Sequence, residues 1–168
     1  MQKIQQKLID ETQREILRIS TENNTDSRFP IFVMGPYEPD SCKEFLKGVC
    51  VTIRTQCKYT AFLLDELSLP ITPDESYRGP ARLSVYNVFV IPKKCGSYGW
   101  VSELTEQLDE NPSKLLIYYG NKKDIPFQVY SKMVNKNIKH GAIIDYKKTE
   151  VSFKRIATRI TTAFFYPS

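Results

Sequence analysis

Hydrophobic and polar positions form two kinds of block along the chain. Short runs of mostly apolar residues are typical of strands buried on both faces, and longer stretches with apolar residues at helical spacing are typical of amphipathic helices. The apolar runs predict strands at 29–34, 59–64, 83–91, 115–119 and 142–146. The helical spacing predicts helices at 3–20, 41–55, 100–109, 127–135 and 149–164.

The segments between these blocks carry turn signals. Residues 20–27 are polar and rich in turn formers, which predicts a loop. Ser41, with Glu44 three residues later, has the capping-box pattern and predicts that the second helix begins there. Prolines and a glycine within 69–80 predict an irregular connection with room for one helical turn.

Strands that alternate with helices predict a parallel sheet covered on both faces. With right-handed crossovers, five such units favour the three-layer, flavodoxin-like strand order 2-1-3-4-5. We therefore expect an N-terminal helix and linker at 1–28, followed by a single α/β domain at 29–168. The first helix is expected to lie on this domain or on a partner subunit.

The strand order predicts where a ligand binds. In open α/β sheets, ligands occupy the crevice at the carboxyl ends of the strands, where the order of the chain reverses. Here that point lies between strands 1 and 3, which end at residues 35–38 and 94–100. Glycines, prolines and aromatic residues are concentrated in these two loops, which makes them the predicted ligand site.

Glu103 is the candidate catalytic residue. A carboxylate near a helix start, in a partly dry crevice, stabilises a positive charge such as the oxocarbenium-like state of a breaking glycosidic bond, and it can trap that state covalently. The alternative is a glutamate selected for favourable electrostatics with the helix dipole.

Neighbouring residues offer binding contacts, each with a structural alternative. Tyr98 and Trp100 have rings that can stack on a base or nicotinamide, but Trp100 equally suits a core position over the sheet. Gly99 permits close approach of a ligand to the backbone. Asp65, after the second strand, can bind a ribose hydroxyl or be a solvated loop acid.

Composition narrows the function classes. The 168 residues have a formal net charge of +5, and the stretch 122–159 carries ten basic and three acidic residues, a distribution that fits nucleic acid or, alternatively, a solvated helical surface. No apolar run is long enough for a membrane span, and the polar start is unlike a secretory signal, so we expect a cytoplasmic protein without membrane partners. The four cysteines form no Cys-x-x-Cys pair and His140 is the one histidine, so no metal is expected. The polar sequence around His140 indicates a surface residue. Dinucleotide-type glycine loops, P-loops and nucleophile elbows are absent from the sequence.

Two segments resemble the nucleoside 2-deoxyribosyltransferase family: Met34-Gly35-Pro36-Tyr37 and Gly99-Trp100-Val101-Ser102-Glu103. In that family the first strand runs into a Gly-Pro-aromatic turn. A segment Asp-x-Gly-x-x-x-Glu after the third strand supplies the glutamate that attacks the anomeric carbon. Gly99 and Glu103 keep this spacing, and Ser97 takes the position of the aspartate.

Residues 97–104 also resemble the Ser-x-Trp-Cys-x-x-Glu-Leu segment of TIR domains, many of which hydrolyse NAD with that glutamate. Trp100 lies one residue closer to Glu103 than in that pattern. Together the resemblances imply a catalytic Glu103. The implied substrate-binding residues are Gly35, Pro36, Tyr37, Asp65, Ser97, Tyr98, Gly99 and Trp100.

The leading hypothesis is a domain that binds a nucleotide or NAD as substrate, without a cofactor, and hydrolyses its N-glycosidic bond. The first alternative is a non-catalytic module that senses a nucleotide or binds protein, and forms a homo-oligomer through its first helix. The second is a nucleic-acid-binding protein that uses the basic stretch after residue 121.

Overall fold

A computed structural model describes residues 6–70, 77–93 and 99–165 of the chain. Its five strands form one all-parallel sheet in the order β2-β1-β3-β4-β5. This confirms the predicted flavodoxin-like order. The strands are β1 (Asp26–Met34), β2 (Tyr59–Phe62), β3 (Tyr86–Ile91), β4 (Leu115–Tyr119) and β5 (Lys139–Gly141).

Helices cover both faces of the sheet. In the described ranges they are α1 (Gln6–Asn23), α2 (Asp40–Cys57), α3 (Arg78–Leu83), α4 (Gly99–Glu110), α5 (Phe127–Asn135) and α6 (Thr149–Phe165). Short 3-10 turns lie at Leu64–Glu66, Pro112–Lys114 and Lys122–Asp124. No helix of the part that the structure describes is both long and apolar enough to span a bilayer.

The core is divided by the sheet into two layers. On one face, Phe89 of the central strand β3 belongs to a buried cluster with Ile16 of α1 and Leu104 of α4. On the other face, Val88 belongs to a cluster with Leu46 of α2 and Ile156 of α6. Successive residues of β3 thus serve opposite layers, as expected of a parallel sheet buried on both sides.

The first helix ends later in the chain than the sequence indicates. Residues 20–27 were predicted as a loop, but α1 continues to Asn23 and β1 already begins at Asp26. The turn between them is closed by Ser20, whose hydroxyl donates to the carbonyl of Thr25, and by Asn24, which has a φ of 53°. Polar turn formers can also end a helix, and here the buried Ile19 holds the last turns of α1 against the core.

The fifth strand lies earlier in the chain than predicted. The apolar run 142–146 was expected to form it, but Lys139–Gly141 pairs with β4 instead, with His140 opposite Ile117. An edge strand needs a partner on only one side and tolerates polar residues. Ile144 lies in the segment that follows the strand and packs in the core. The apolar run 142–146 therefore reflects burial and not a strand.

Three further boundaries differ from the prediction. The capping box at Ser41 does not form, because α2 already begins at Asp40, with Pro39 as its N-cap and no side-chain cap hydrogen bond. The second strand ends at Phe62, two residues before the predicted end. The third begins at Tyr86, since Leu83, the predicted start, is the last residue of α3.

Candidate functional site

A cavity of about 250 Å³ lies where the carboxyl end of β1 meets the start of α4, the helix that follows β3. This is the point at which the strand order reverses, where open α/β sheets bind ligands. The cavity is lined by Phe32, Val33, Met34, Gly35, Pro36, Tyr37, Leu64, Gly99, Trp100 and Glu103. Two loops far apart in sequence therefore build one concave surface.

Gly35 sets the close approach of the first loop to β3. Its φ is +155°, a conformation that side-chain-bearing residues rarely adopt. A Cβ at this position would lie 2.2 Å from the carbonyl oxygen of Val90 and 3.2 Å from Cδ2 of Leu46. The chain can leave β1 along this path only because position 35 has no side chain.

Glu103 reaches the cavity from the second turn of α4. Trp100, Leu104 and Leu108 are buried and fix one side of the helix against the sheet, while Glu103 is half-buried between core and solvent. The helix dipole acts mainly within the first turn, so its effect on Glu103 is weaker than on a first-turn residue. Most of the cavity wall is apolar, and a low local dielectric strengthens the field of a carboxylate.

Trp100 combines the two roles considered for it. Its side chain is 5% exposed and belongs to the core cluster under α4, yet it also forms part of the cavity wall. Within the described ranges, its indole Nε1 has no hydrogen-bond partner. The core position is therefore established, and the ring contributes an aromatic surface to the cavity.

Tyr37 brings a protonated hydroxyl to the site. Burial raises the pKa of this phenol well above its ordinary value, the negative charges of Asp65 and Glu103 raise it further, and a backbone hydrogen bond from Asp65 opposes them. Tyr37 thus remains a hydrogen-bond donor throughout the neutral range. The Nζ of Lys43 lies 5.1 Å from the centre of its ring.

Asp65 does not line the cavity as predicted for a ribose-binding residue. It forms an ion pair with Lys43, and its side chain is 41% exposed. The aspartate is therefore positioned at the rim, with its charge balanced by a lysine that sequence analysis did not single out.

A hydrogen-bond network holds the turn that supplies Leu64 to the cavity. The carboxylate of Glu66 accepts from the backbone N–H of Leu63 at 2.9 Å and from Nη2 of Arg54 at 2.7 Å. The guanidinium of Arg18 on α1 donates to the carbonyl of Glu66 at 2.7 Å. The N-terminal helix thereby fixes one wall of the site.

Six of the nine predicted site residues come together around the cavity: Gly35, Pro36, Tyr37, Gly99, Trp100 and Glu103. Ser97 and Tyr98 lie outside the described residues, and Asp65 lies at the rim. Sequence analysis missed the apolar lining, of which Phe32 and Met34 are the inward-facing residues of β1. Their alternation along the strand was the available signal.

His140 is less exposed than predicted. It lies in β5, half-buried, with Nδ1 2.8 Å from the hydroxyl of Tyr119, and it is not part of the cavity wall. Among the residues that the structure describes, no group of three His, Cys, Asp or Glu side chains is arranged to hold a metal ion. Of the described residues that line the cavity, Glu103 and Tyr37 carry the ionisable side chains.

Comparison of the chain with protein-family models, with curated proteins and with solved structures gave no significant match.

Proposed function

We propose that the protein binds a nucleotide or NAD in this cavity and hydrolyses its N-glycosidic bond, with Glu103 as the catalytic carboxylate. The observation that carries the proposal is that Glu103 lines the same cavity as the Gly35-Pro36-Tyr37 turn. The two motif-bearing segments are separated by more than sixty residues in the sequence. Their meeting at the sheet's switch point supports a shared ligand site.

The lining suits the separate parts of a nucleoside. Trp100 and Tyr37 provide aromatic surface for a flat base. Gly35 and Gly99 line the cavity without a side chain of their own, so a ligand can come close to the backbone there. Glu103 supplies the negative charge that an oxocarbenium-like sugar needs as its glycosidic bond breaks. Ligand sites in proteins combine apolar walls with a few placed polar groups in this way.

The proposed reaction has two steps. The bond between C1′ and the base nitrogen breaks, the electron pair leaves with the base, and a carboxylate oxygen of Glu103 forms an ester with C1′. The base of a neutral nucleoside leaves as an anion and takes a proton from water to become neutral, whereas the cationic nicotinamide of NAD leaves as a neutral molecule. Water then attacks C1′, its hydroxyl stays on the sugar, its proton is released, and Glu103 is regenerated.

The direct test compares the wild-type protein with Glu103→Gln against NAD and a panel of nucleosides and nucleotides, with product bases resolved by chromatography. Removal of the carboxylate should lower the rate by about 10²–10⁴-fold, the range typical of groups that act on the reacting atoms. Glu110→Gln is the matched control, since Glu110 is an exposed carboxylate at the other end of α4. Activity that survives the Glu103 substitution would remove this residue from the chemistry.

The same samples separate catalysis from sensing. A ligand that raises the melting temperature of the protein without forming product favours a nucleotide-sensing module. Product formation by the wild type and the Glu110 variant, with its loss in the Glu103 variant, favours the hydrolase. The absence of both stabilisation and product across the panel would contradict the nucleotide assignment itself.

A further inference from the structure

The basic residues of the last third of the chain differ in whether they form ion pairs with carboxylates. Lys132 of α5 and Lys136, the residue that follows this helix, both form ion pairs with Asp109. In contrast, no carboxylate of the described ranges lies within 4.0 Å of the basic side chains on and just before α6. These are Lys147, Lys148, Lys154, Arg155 and Arg159, all exposed. This surface therefore carries five cations without an ion pair in the described part of the chain, against two carboxylates in the same stretch, Asp145 and Glu150.

Three of these cations surround a groove of about 460 Å³ between α6 and the segment that follows β5. The groove is also lined by the aliphatic residues Ala142 and Ile143, from the segment after the edge strand, and by Val151 of α6. Val151 is 44% exposed. Lys154, Arg155 and Arg159 complete the lining with Thr158. None of these residues lines the cavity that contains Glu103.

The two arginines are held close to the sheet. Nη1 of Arg155 donates to the carbonyl oxygen of Ile143 at 3.4 Å, across the groove. The charge of Arg159 is near enough to the buried Tyr118 of β4 to lower the pKa of its phenol, against the dominant effect of burial. Each guanidinium has more N–H donors than these contacts use, so both can accept carboxylates in a planar, paired geometry.

We propose that this groove is a docking site for an acidic, extended segment of a partner protein, with carboxylates on Lys154, Arg155 and Arg159 and aliphatic side chains between them on Ile143 and Val151. An apolar centre with a charged rim, and arginine in the contact, is the usual composition of a protein interface. The rim determines the partner, because an unbalanced positive rim selects negative charge and repels basic chains.

A single-stranded nucleic acid fits the groove less well. Proteins that bind it without sequence preference combine basic grooves with aromatic rings on which bases stack. The described lining of this groove contains aliphatic side chains and no aromatic ring. A phosphodiester chain would satisfy the cations but leave the exposed Val151 uncovered, whereas an acidic peptide covers both.

The test uses a fluorescently labelled peptide of alternating aspartate and valine, and its asparagine–valine counterpart, in anisotropy titrations at low salt (about 50 mM). We expect saturable binding of the acidic peptide only, weakened by salt. The variant Lys154→Glu/Arg159→Glu should bind about tenfold or more weakly. The control Lys122→Glu/Lys123→Glu carries the same charge change on exposed lysines outside the groove and should bind within about twofold of wild type.

A second substitution distinguishes docking from general charge attraction. Val151→Ser removes aliphatic surface at the groove without changing charge, and it should weaken the acidic peptide several-fold. Circular dichroism melts establish that each variant is folded. Equal losses in the groove and control variants, or no binding of the acidic peptide at low salt, would overturn the proposal. Binding of an oligothymidine probe in place of the peptide would overturn it in favour of nucleic acid.

Discussion

Gly35 and Gly99 both line the cavity, but the structure gives alanine opposite consequences at the two positions. At Gly35, the φ of +155° is strained for any L residue, and the added methyl would lie 2.2 Å from the backbone oxygen of Val90. Backbone cannot move aside as a flexible side chain does. At Gly99, the first residue of α4, a Cβ meets no atom of the described chain within 4 Å.

The magnitudes follow from these geometries. An unfavourable backbone conformation costs about 1–3 kcal/mol, and an overpacked methyl costs about 1–3 kcal/mol more. Gly35→Ala should therefore lower the free energy of unfolding by about 2–6 kcal/mol. For a domain of this size, this corresponds to a fall in melting temperature of about 10 °C. Gly99→Ala should stay within about 0.5 kcal/mol of wild type or gain slightly, since alanine favours helix.

Urea and thermal unfolding, followed by circular dichroism, measure both variants under the same conditions. The comparison also bears on the cavity, because Gly35→Ala should impair ligand binding through the displaced turn even where the protein remains folded. If Gly35→Ala unfolds within 1 kcal/mol of wild type, the described path of the 35–37 turn against β3 is wrong. The cavity wall would then not be formed by this turn.

Three further variants test the packing and electrostatics of the fold. Gly48→Ala places a methyl 2.2 Å from the ring of Phe153, so it should lower the free energy of unfolding by about 1–3 kcal/mol. In a double-mutant cycle, Phe153→Leu should restore most of this loss. Additive effects of the two substitutions would contradict the contact. The hydrogen bond from Arg18 lowers the pKa of Glu15 below its usual 4.5, so Glu15→Gln should cost stability above that pH, and urea titrations should show the difference shrinking as the pH falls through the lowered value. A difference that does not shrink as the pH falls below 4.5 would refute this. Asn87→Ala removes a buried amide that donates to a carbonyl of α3 and to a buried glutamine. The free energy of unfolding should fall by about 2–4 kcal/mol in the same titrations, and a fall of less than about 1 kcal/mol would contradict the reasoning.

The parts of the fold that the sequence predicts well are those whose signal does not depend on a partner. Strand β4 was predicted with its observed bounds, Leu115–Tyr119, because all five residues are buried and an apolar run records burial on both faces. Helix α5 was likewise predicted at its observed bounds, Phe127–Asn135, although its helical signal is poorer than that of the other helices.

The errors occur where a neighbouring element decides the outcome. Lys139–Gly141 forms β5 because β4 is available to pair with it, and a strand of lysine, histidine and glycine has no apolar signal of its own. Ser41 satisfies a local capping pattern, but the chain entering from Pro39 starts the helix one residue earlier. In both cases the local pattern was correct as a preference and was overridden by tertiary context.

The candidate site was predicted in part, and Glu103 and Asp65 show which part. The strand order alone placed the loops of Gly35 and Glu103 together, since the carboxyl ends of adjacent parallel strands meet at one edge. It did not determine which acid faces the cavity, because that depends on the charges that surround each one. Asp65 is exposed and paired with Lys43, so water and the ammonium screen its field. Glu103 is half-buried among Trp100 and other apolar lining residues, where the same charge acts over a longer range. The position of Glu103 in the cavity wall, and of Asp65 beside Lys43 outside it, is therefore what the strand order alone did not predict.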